Sequence, residues 1–126
     1  NYFDDAENAF ISAYRHHPEN NSTFKIIVEY FAAPEIENKT LLLADPMLAT
    51  GQSLVAVYDA IKNVGQPKEI HIIAIIGSTE GIKFIEKHFP ENTHLWIAAI
   101  DDVLNDKGYI IPGLGDAGDL AFGSKL

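Results

Sequence analysis

Two stretches of this chain place chemistry-bearing groups where a ligand can reach them. In the first, the apolar run Leu41-Leu42-Leu43-Ala44 meets Asp45 and passes through Pro46-Met47-Leu48-Ala49-Thr50-Gly51-Gln52-Ser53 into an amphipathic segment. A strand that ends on a carboxylate and turns through small residues into a helix exposes that helix's first N–H groups, which have no partner within the helix. The end that carries them holds roughly half a positive charge, so the junction is a cradle for an anion, phosphate above all.

The second stretch is Tyr109-Ile110-Ile111-Pro112-Gly113-Leu114-Gly115-Asp116-Ala117-Gly118-Asp119. Its glycines let the main chain lie directly against a ligand, and backbone N–H and C=O groups suit the edge of a planar base. Asp116 is placed to accept a hydrogen bond or to meet a sugar hydroxyl. Gly113, Gly115 and Gly118 also spell G-x-G-x-x-G, but a dinucleotide fingerprint opens a helix inside a βαβ unit with an acidic residue about 20 positions on. Here Pro112 precedes it and the sequence stops at Leu126. The plain alternative is a glycine-rich turn that holds no ligand.

The elements that must position these groups follow from periodicity. Ala9–Arg15 reads as a short strand, His16–Asn21 as a turn and Phe24–Phe31 as a β-rich run, the two strands forming a hairpin. Leu41–Asp45 is a buried strand. Ser53–Val64 carries Leu54, Val57, Tyr58, Ile61 and Val64 on one helical face, with Gly65 available as a left-handed cap. Ile70–Gly77 is the next strand. Thr79–Phe89 is a helix with Glu80 in its first turn, Lys87 and His88 in its last, and Pro90 as its stop. His94–Ile100 is a strand apolar on both faces, as covered parallel strands tend to be. The order β-α-β-α-β predicts an α/β fold with a parallel sheet, right-handed crossovers and flanking helices. Ligands of such sheets sit beyond the C-terminal strand ends, where Asp45 lies.

Composition narrows the class. With 126 residues, 47% of them hydrophobic, the chain suits one domain with one core. Its longest apolar runs fall far short of the roughly 20 residues of a membrane span. A formal net charge of −9 with scattered basic residues argues against nucleic acid. Having no cysteine, the chain forms no disulfides, and it fits a reducing compartment. The acidic start Asn1-Tyr2-Phe3-Asp4-Asp5 lacks the basic region of a signal peptide. The start without methionine, almost directly in a structured segment, reads as the C-terminal part of a longer protein.

Together, the Asp45–Gly51 and Tyr109–Asp119 strings, with Phe122-Gly123 after them, resemble uracil phosphoribosyltransferase. The resemblance extends back to Tyr14-Arg15 and is weakest between Arg15 and Lys39. It implies a phosphoribosyltransferase-like fold with a small glycine-rich base-binding region at 101–126, and the conversion of uracil and 5-phosphoribosyl 1-diphosphate (PRPP) to UMP and diphosphate. It further implies Mg2+, held mainly by PRPP and water, together with a cytoplasmic location and a homo-oligomer. On that resemblance Asp45 binds the ribose hydroxyls, and Ala49, Thr50, Gly51, Gln52 and Ser53 hold the 5-phosphate, within a PRPP loop that includes Pro46, Met47 and Leu48. Arg15 reaches the diphosphate. Ile110, Gly115 and Ala117 meet uracil through their backbones, and Asp116 lies between base and PRPP. Asp45 and Asp116 are the catalytic residues.

The sequence departs from the family in places. Pro46 stands where many phosphoribosyltransferases have a second acid, which points to the uracil branch. Gln52 replaces a second glycine, so positive φ there is costly. The upstream Leu-Arg-Ala-Gly loop is absent, which predicts poor turnover by this piece alone. The histidines show no ligand spacing, Trp96 and Tyr58 read as core, and Asp4, Asp5 and Glu7 read as a solvated face or a first helical turn. Asp101 and Asp102 end a strand on the ligand side, with a supporting role or none. Two other classes stay open: a non-catalytic domain that senses nucleotide or PRPP, and a structural piece whose segment Phe24–Phe31 pairs with another subunit.

Overall fold

The structure, a computed structural model, describes residues 2–16 and 25–123, with the side chains of 15, 16 and 25 left aside. Its centre is a parallel sheet of β3 (Thr40–Leu48), β4 (Glu69–Ser78) and β5 (Thr93–Asp101), in that order. The helices α1 (Gln52–Ile61) and α2 (Thr79–His88) make the crossovers. Two successive crossovers of one hand, in a sheet whose order follows the chain, leave both helices on the same face. Alternate residues of β4, Ile70, Ile72 and Ala74, are accordingly buried with Leu43, Leu54, Val57, Tyr58, Ile61, Ile85 and Phe89.

The other face of the sheet carries no helix among the described residues. Ile75 is 62% exposed and Trp96 58%, so the expectation that β5 is covered on both faces, with Trp96 in the core, fails. Tyr58 is buried as predicted and stacks on Phe89. Trp96 instead donates its indole N–H to His71 Nδ1 at 3.0 Å. His71 and His94, remote in sequence, are register partners whose rings stack 4.9 Å apart, and Glu69 lies 3.0 Å from His94 Nε2. Period-2 alternation put them side by side on the bare face.

Several boundaries differ from the sequence reading. β3 runs on to Leu48 rather than stopping at Asp45. Pro46 is skipped between the pairs Asp45↔Ala74 and Met47↔Ile76, a position that a residue without an N–H tolerates in a strand with a partner on one side only. α1 ends at Ile61 and tightens into a 3-10 turn at Lys62–Val64. Gly65 follows with φ 146 and ψ 172, so it is not the left-handed cap expected.

β1 (Phe10–His16) and β2 (Lys25–Ala32) pair antiparallel from Phe10↔Ala32 to His16↔Lys25. Most of the predicted turn between them lies outside the described residues. Ile11, Ala13 and Phe31 pack this ribbon against the core. Asp4 and Asp5 form a turn rather than a helix, and Glu7 pairs with Lys39. At the other end, β6 (Val103–Leu104) and β7 (Ile110–Ile111) make a short antiparallel ribbon before α3 (Ala117–Phe122).

Candidate active site

The ends of the three parallel strands line up along one edge of the sheet, with Leu48 beside Gly77 and Ser78 beside Asp101. At this edge β3 hands over to the turn Ala49–Gly51 and α1. Gly51 takes φ 76 at the N-cap, and no side chain caps the helix. Gln52 is therefore already helical, and the positive φ feared there falls on the glycine before it. The Gln52 N–H has only a long 3.5 Å contact to Thr50 Oγ1, and Gly51 offers no side-chain cap, so the start of α1 keeps N–H groups that an anion could use.

Asp45 is half-buried on β3, and its Oδ1 accepts the Met47 N–H at 3.0 Å. Burial pushes its carboxyl above the ordinary 3.8, and the Met47 bond pulls the other way. Leu48 is 1% exposed. Its side chain belongs to the core, so only its backbone can face a ligand.

Two residues that sequence reasoning missed hold this loop. The Ser78 side chain, fully buried at the N-cap of α2, donates to the Ala49 carbonyl at 2.5 Å and accepts the Gly81 N–H at 2.8 Å. Gly81 lets α2 approach so closely that a Cβ there would lie 2.3 Å from the Ala49 oxygen. A serine before a helical pattern signals a cap, and a glycine inside one signals close packing. Neither signal says which loop is held.

The second stretch sits beyond β5. Ile110 is buried and pairs with Leu104, and Asn105 Oδ1 accepts the N–H groups of Lys107 and Tyr109, closing the ribbon. The Gly113 N–H donates to Asp101 Oδ2 at 3.0 Å, and Thr79 Oγ1 donates to Asp102 Oδ1 at 2.7 Å. Asp101, the last residue of β5, and Asp102 just after it thus hold the Gly113 turn and the start of α2. A Cβ on Gly113 would lie 2.0 Å from the Ile110 carbonyl oxygen, so that turn admits only glycine. Asp116 is the N-cap of α3, its Oδ1 accepting the Asp119 N–H at 3.0 Å, and Ala117 is the first residue of that helix. α3 is six residues long, and β7 before the glycine triplet pairs antiparallel with β6, so the triplet does not follow a strand of a parallel sheet as a dinucleotide fingerprint does.

Six of the predicted site residues border two hollows, whereas Met47, Leu48, Ala49, Thr50, Gly51, Gln52 and Ala117 line neither. Asp45, Pro46 and Ser53 line one of about 800 Å³ that extends between β3, α1 and the β1–β2 ribbon. Ile110, Gly115 and Asp116 line another of about 490 Å³. The turn Ala49–Gly51 is tied to Ser78, and Ser78 is paired with Asp101, which holds Gly113. Arg15 lies in β1 opposite Ile26, its side chain outside the described atoms.

A parallel sheet with an uncapped anion cradle after one strand and a glycine-rich loop after another is the arrangement of a phosphoribosyltransferase. A hypoxanthine phosphoribosyltransferase from Staphylococcus aureus has a similar fold, with a TM-score of 0.50 over 76% of this chain and 48% of that one, at 14% identity. A structure of the AQ2163 protein from Aquifex aeolicus is more similar, with a TM-score of 0.81 and 35% identity over 94% of this chain and 54% of that one. The family model for uracil phosphoribosyltransferase matches residues 5–124. A uracil phosphoribosyltransferase of Porphyromonas gingivalis is 52% identical over the whole chain, and one of Pyrococcus furiosus is 43% identical over 98% of it. The chain belongs to the uracil phosphoribosyltransferase family. It spans 58% and 52% of the lengths of those two relatives.

Proposed function

We propose that the protein of which these residues form the PRPP and base sites transfers a phosphoribosyl group from PRPP to uracil, giving UMP and diphosphate. The observation that carries this reading is the uncapped start of α1 at the strand edge that also anchors the glycine loop. The N–H groups from Thr50 to Ser53, with the Thr50 and Ser53 hydroxyls, receive the 5-phosphate on a turn whose Ala49 N–H is held by the Met47 carbonyl at 3.1 Å, and the Asp45 carboxylate takes the ribose hydroxyls. The backbones of Ile110, Gly115 and Ala117 read uracil, with Asp116 between base and ribose. The bond from ribose C1 to the diphosphate oxygen breaks, and C1 bonds to N1 of uracil, whose proton passes to the released diphosphate or to water. Charge developing on the ribose calls for positioning and electrostatic stabilisation rather than a protein nucleophile.

Mg2+ supplies neutralisation of the diphosphate when bound. It prefers phosphate oxygens with one or two carboxylates and several waters. With the Asp45 carboxylate given to the ribose hydroxyls, the ion would be held chiefly by PRPP oxygens and water. The net charge of −9 favours a small phosphorylated ligand over nucleic acid. No helix among the described residues is long and apolar enough to cross a membrane. A cytoplasmic homo-oligomer completes the reading.

The test joins the chain to the portion of the Porphyromonas gingivalis relative that it does not match, and follows UMP formation from uracil and PRPP with Mg2+. Turnover by this completed enzyme and little by the chain alone is expected. Binding of both substrates without UMP would favour a regulatory domain. No binding at all would end the enzyme reading.

A further inference from the structure

We propose that Asp101 is a positioning residue for uracil: it aims the base-reading loop through the Gly113 N–H, and it does so independently of the phosphate cradle. This rests on the reading of the site as a uracil phosphoribosyltransferase. The end of β5 carries two adjacent aspartates that reach to different neighbours. Asp102 takes the Thr79 hydroxyl at the start of α2. Asp101, half-buried, takes the Gly113 N–H at 3.0 Å.

Gly113 is a position where aim matters. Its φ of 53 and the 2.0 Å approach of a built Cβ to the Ile110 oxygen mean that no side chain there can fix the turn, so the Asp101 bond is what holds it. Ile110 on one side and Gly115 on the other are the groups whose backbones face the base, so a tether at Gly113 sets the separation and orientation of both. Ser78 and Gly81, on β4 and α2, hold the Ala49 turn by contacts that Asp101 does not share. Losing the Asp101 tether therefore loosens one substrate site and spares the other.

Asp101→Ala and Asp101→Asn separate this role from plain stability, because the amide oxygen of Asn can still accept the Gly113 N–H. In the completed enzyme, Asp101→Ala is expected to raise the KM for uracil about 10-fold, equivalent to about 1.4 kcal/mol, with the KM for PRPP within about 2-fold of wild type. Asp101→Asn is expected to restore the uracil KM to within about 3-fold. In the chain itself, amide hydrogen exchange at Gly113 is expected to speed up in Asp101→Ala and not in Asp101→Asn. An unchanged uracil KM in Asp101→Ala would overturn the proposal, as would a parallel rise of both KM values or a failure of Asn to rescue. A wild-type enzyme that makes no UMP would overturn the reading on which it rests, a result distinct from all of these.

Discussion

Replacing Gly81 by Ala reverses the sign that helix chemistry predicts. At an exposed position inside a helix the change from Gly to Ala gains about 1 kcal/mol from backbone entropy and propensity. At Gly81 the new Cβ would sit 2.3 Å from the Ala49 carbonyl oxygen and 3.0 Å from that of Leu48. Relief to a 3.0 Å contact requires a shift of about 0.7 Å between α2 and the phosphate turn, and both sides are backbone. Overpacking costs about 1–3 kcal/mol, and between two backbones the upper part of that range, about 2–3 kcal/mol, applies, so the propensity gain leaves a net loss of about 1–2 kcal/mol. For a chain of this size each kcal/mol is worth about 3–5 °C in Tm, which predicts a fall of several degrees by calorimetry. The same shift strains the 2.5 Å bond from Ser78 to Ala49 and moves the cradle. Misplacement approaching 1 Å costs about 100-fold in catalysis, and PRPP binding by the completed enzyme, read by titration calorimetry, should weaken at least about 10-fold. A Gly81→Ala protein as stable as wild type, or one that binds PRPP equally well, would refute the close approach.

Three further outcomes follow from the same geometry. Ser78→Ala removes the α2 cap and strands the Ala49 carbonyl, and should lower stability by about 2–3 kcal/mol in denaturant unfolding, whereas Ser78→Thr, which keeps the hydroxyl, should lose less. Asp45→Asn should weaken PRPP binding yet stabilise the fold at neutral pH, since burial raises the Asp45 carboxyl above its ordinary 3.8. That stabilising effect of a proton on Asp45 is complete below the unfolded value and is lost as pH rises through the folded one; the advantage of Asn should therefore shrink on acidification, and a pH-independent difference in Tm would contradict it. Gly115→Val should raise the uracil KM and leave the KM for PRPP near wild type: a Cβ meets nothing within 4 Å, but φ 79 is strained for valine. An unchanged uracil KM would remove Gly115 from the base site.

Much of the local structure around these residues was legible because residue types set it there. A carboxylate, small residues and an amphipathic run at 45–58 can be read as strand, turn and helix from residue types alone. So can the glycine loop, since positive φ at Gly113 and Gly115 needs no tertiary information to be suspected. What stayed hidden depends on register. The pairings of His71 with His94 and of Ser78 with Asp101 are set by how β4 and β5 slide past each other, and residue types within either strand do not report it. Trp96 was misread for a related reason. Continuous apolarity looks the same whether helices cover both faces of a sheet or one, and the order β3-β4-β5 with two like-handed crossovers covers only one among the described residues.

The tethers explain why the two loops proposed to bind the substrates can be treated as separable. The phosphate turn is fixed from β4 and α2, by a buried hydroxyl and a glycine contact. The base loop is fixed from β5, by a carboxylate that remains part-exposed. Both bonds are part-buried, but the phosphate turn is also held by the buried Ser78 and by the backbone approach at Gly81, whereas the base loop has a single such tether. The base loop is thus the softer half, and a variant that softens it further should act on uracil before it acts on PRPP. The cradle, set into the core through Leu48 at 1% exposure, has no such freedom. Its disruption should register in Tm and PRPP affinity together, as expected for Gly81→Ala and Ser78→Ala, while changes at Asp101 should separate the two.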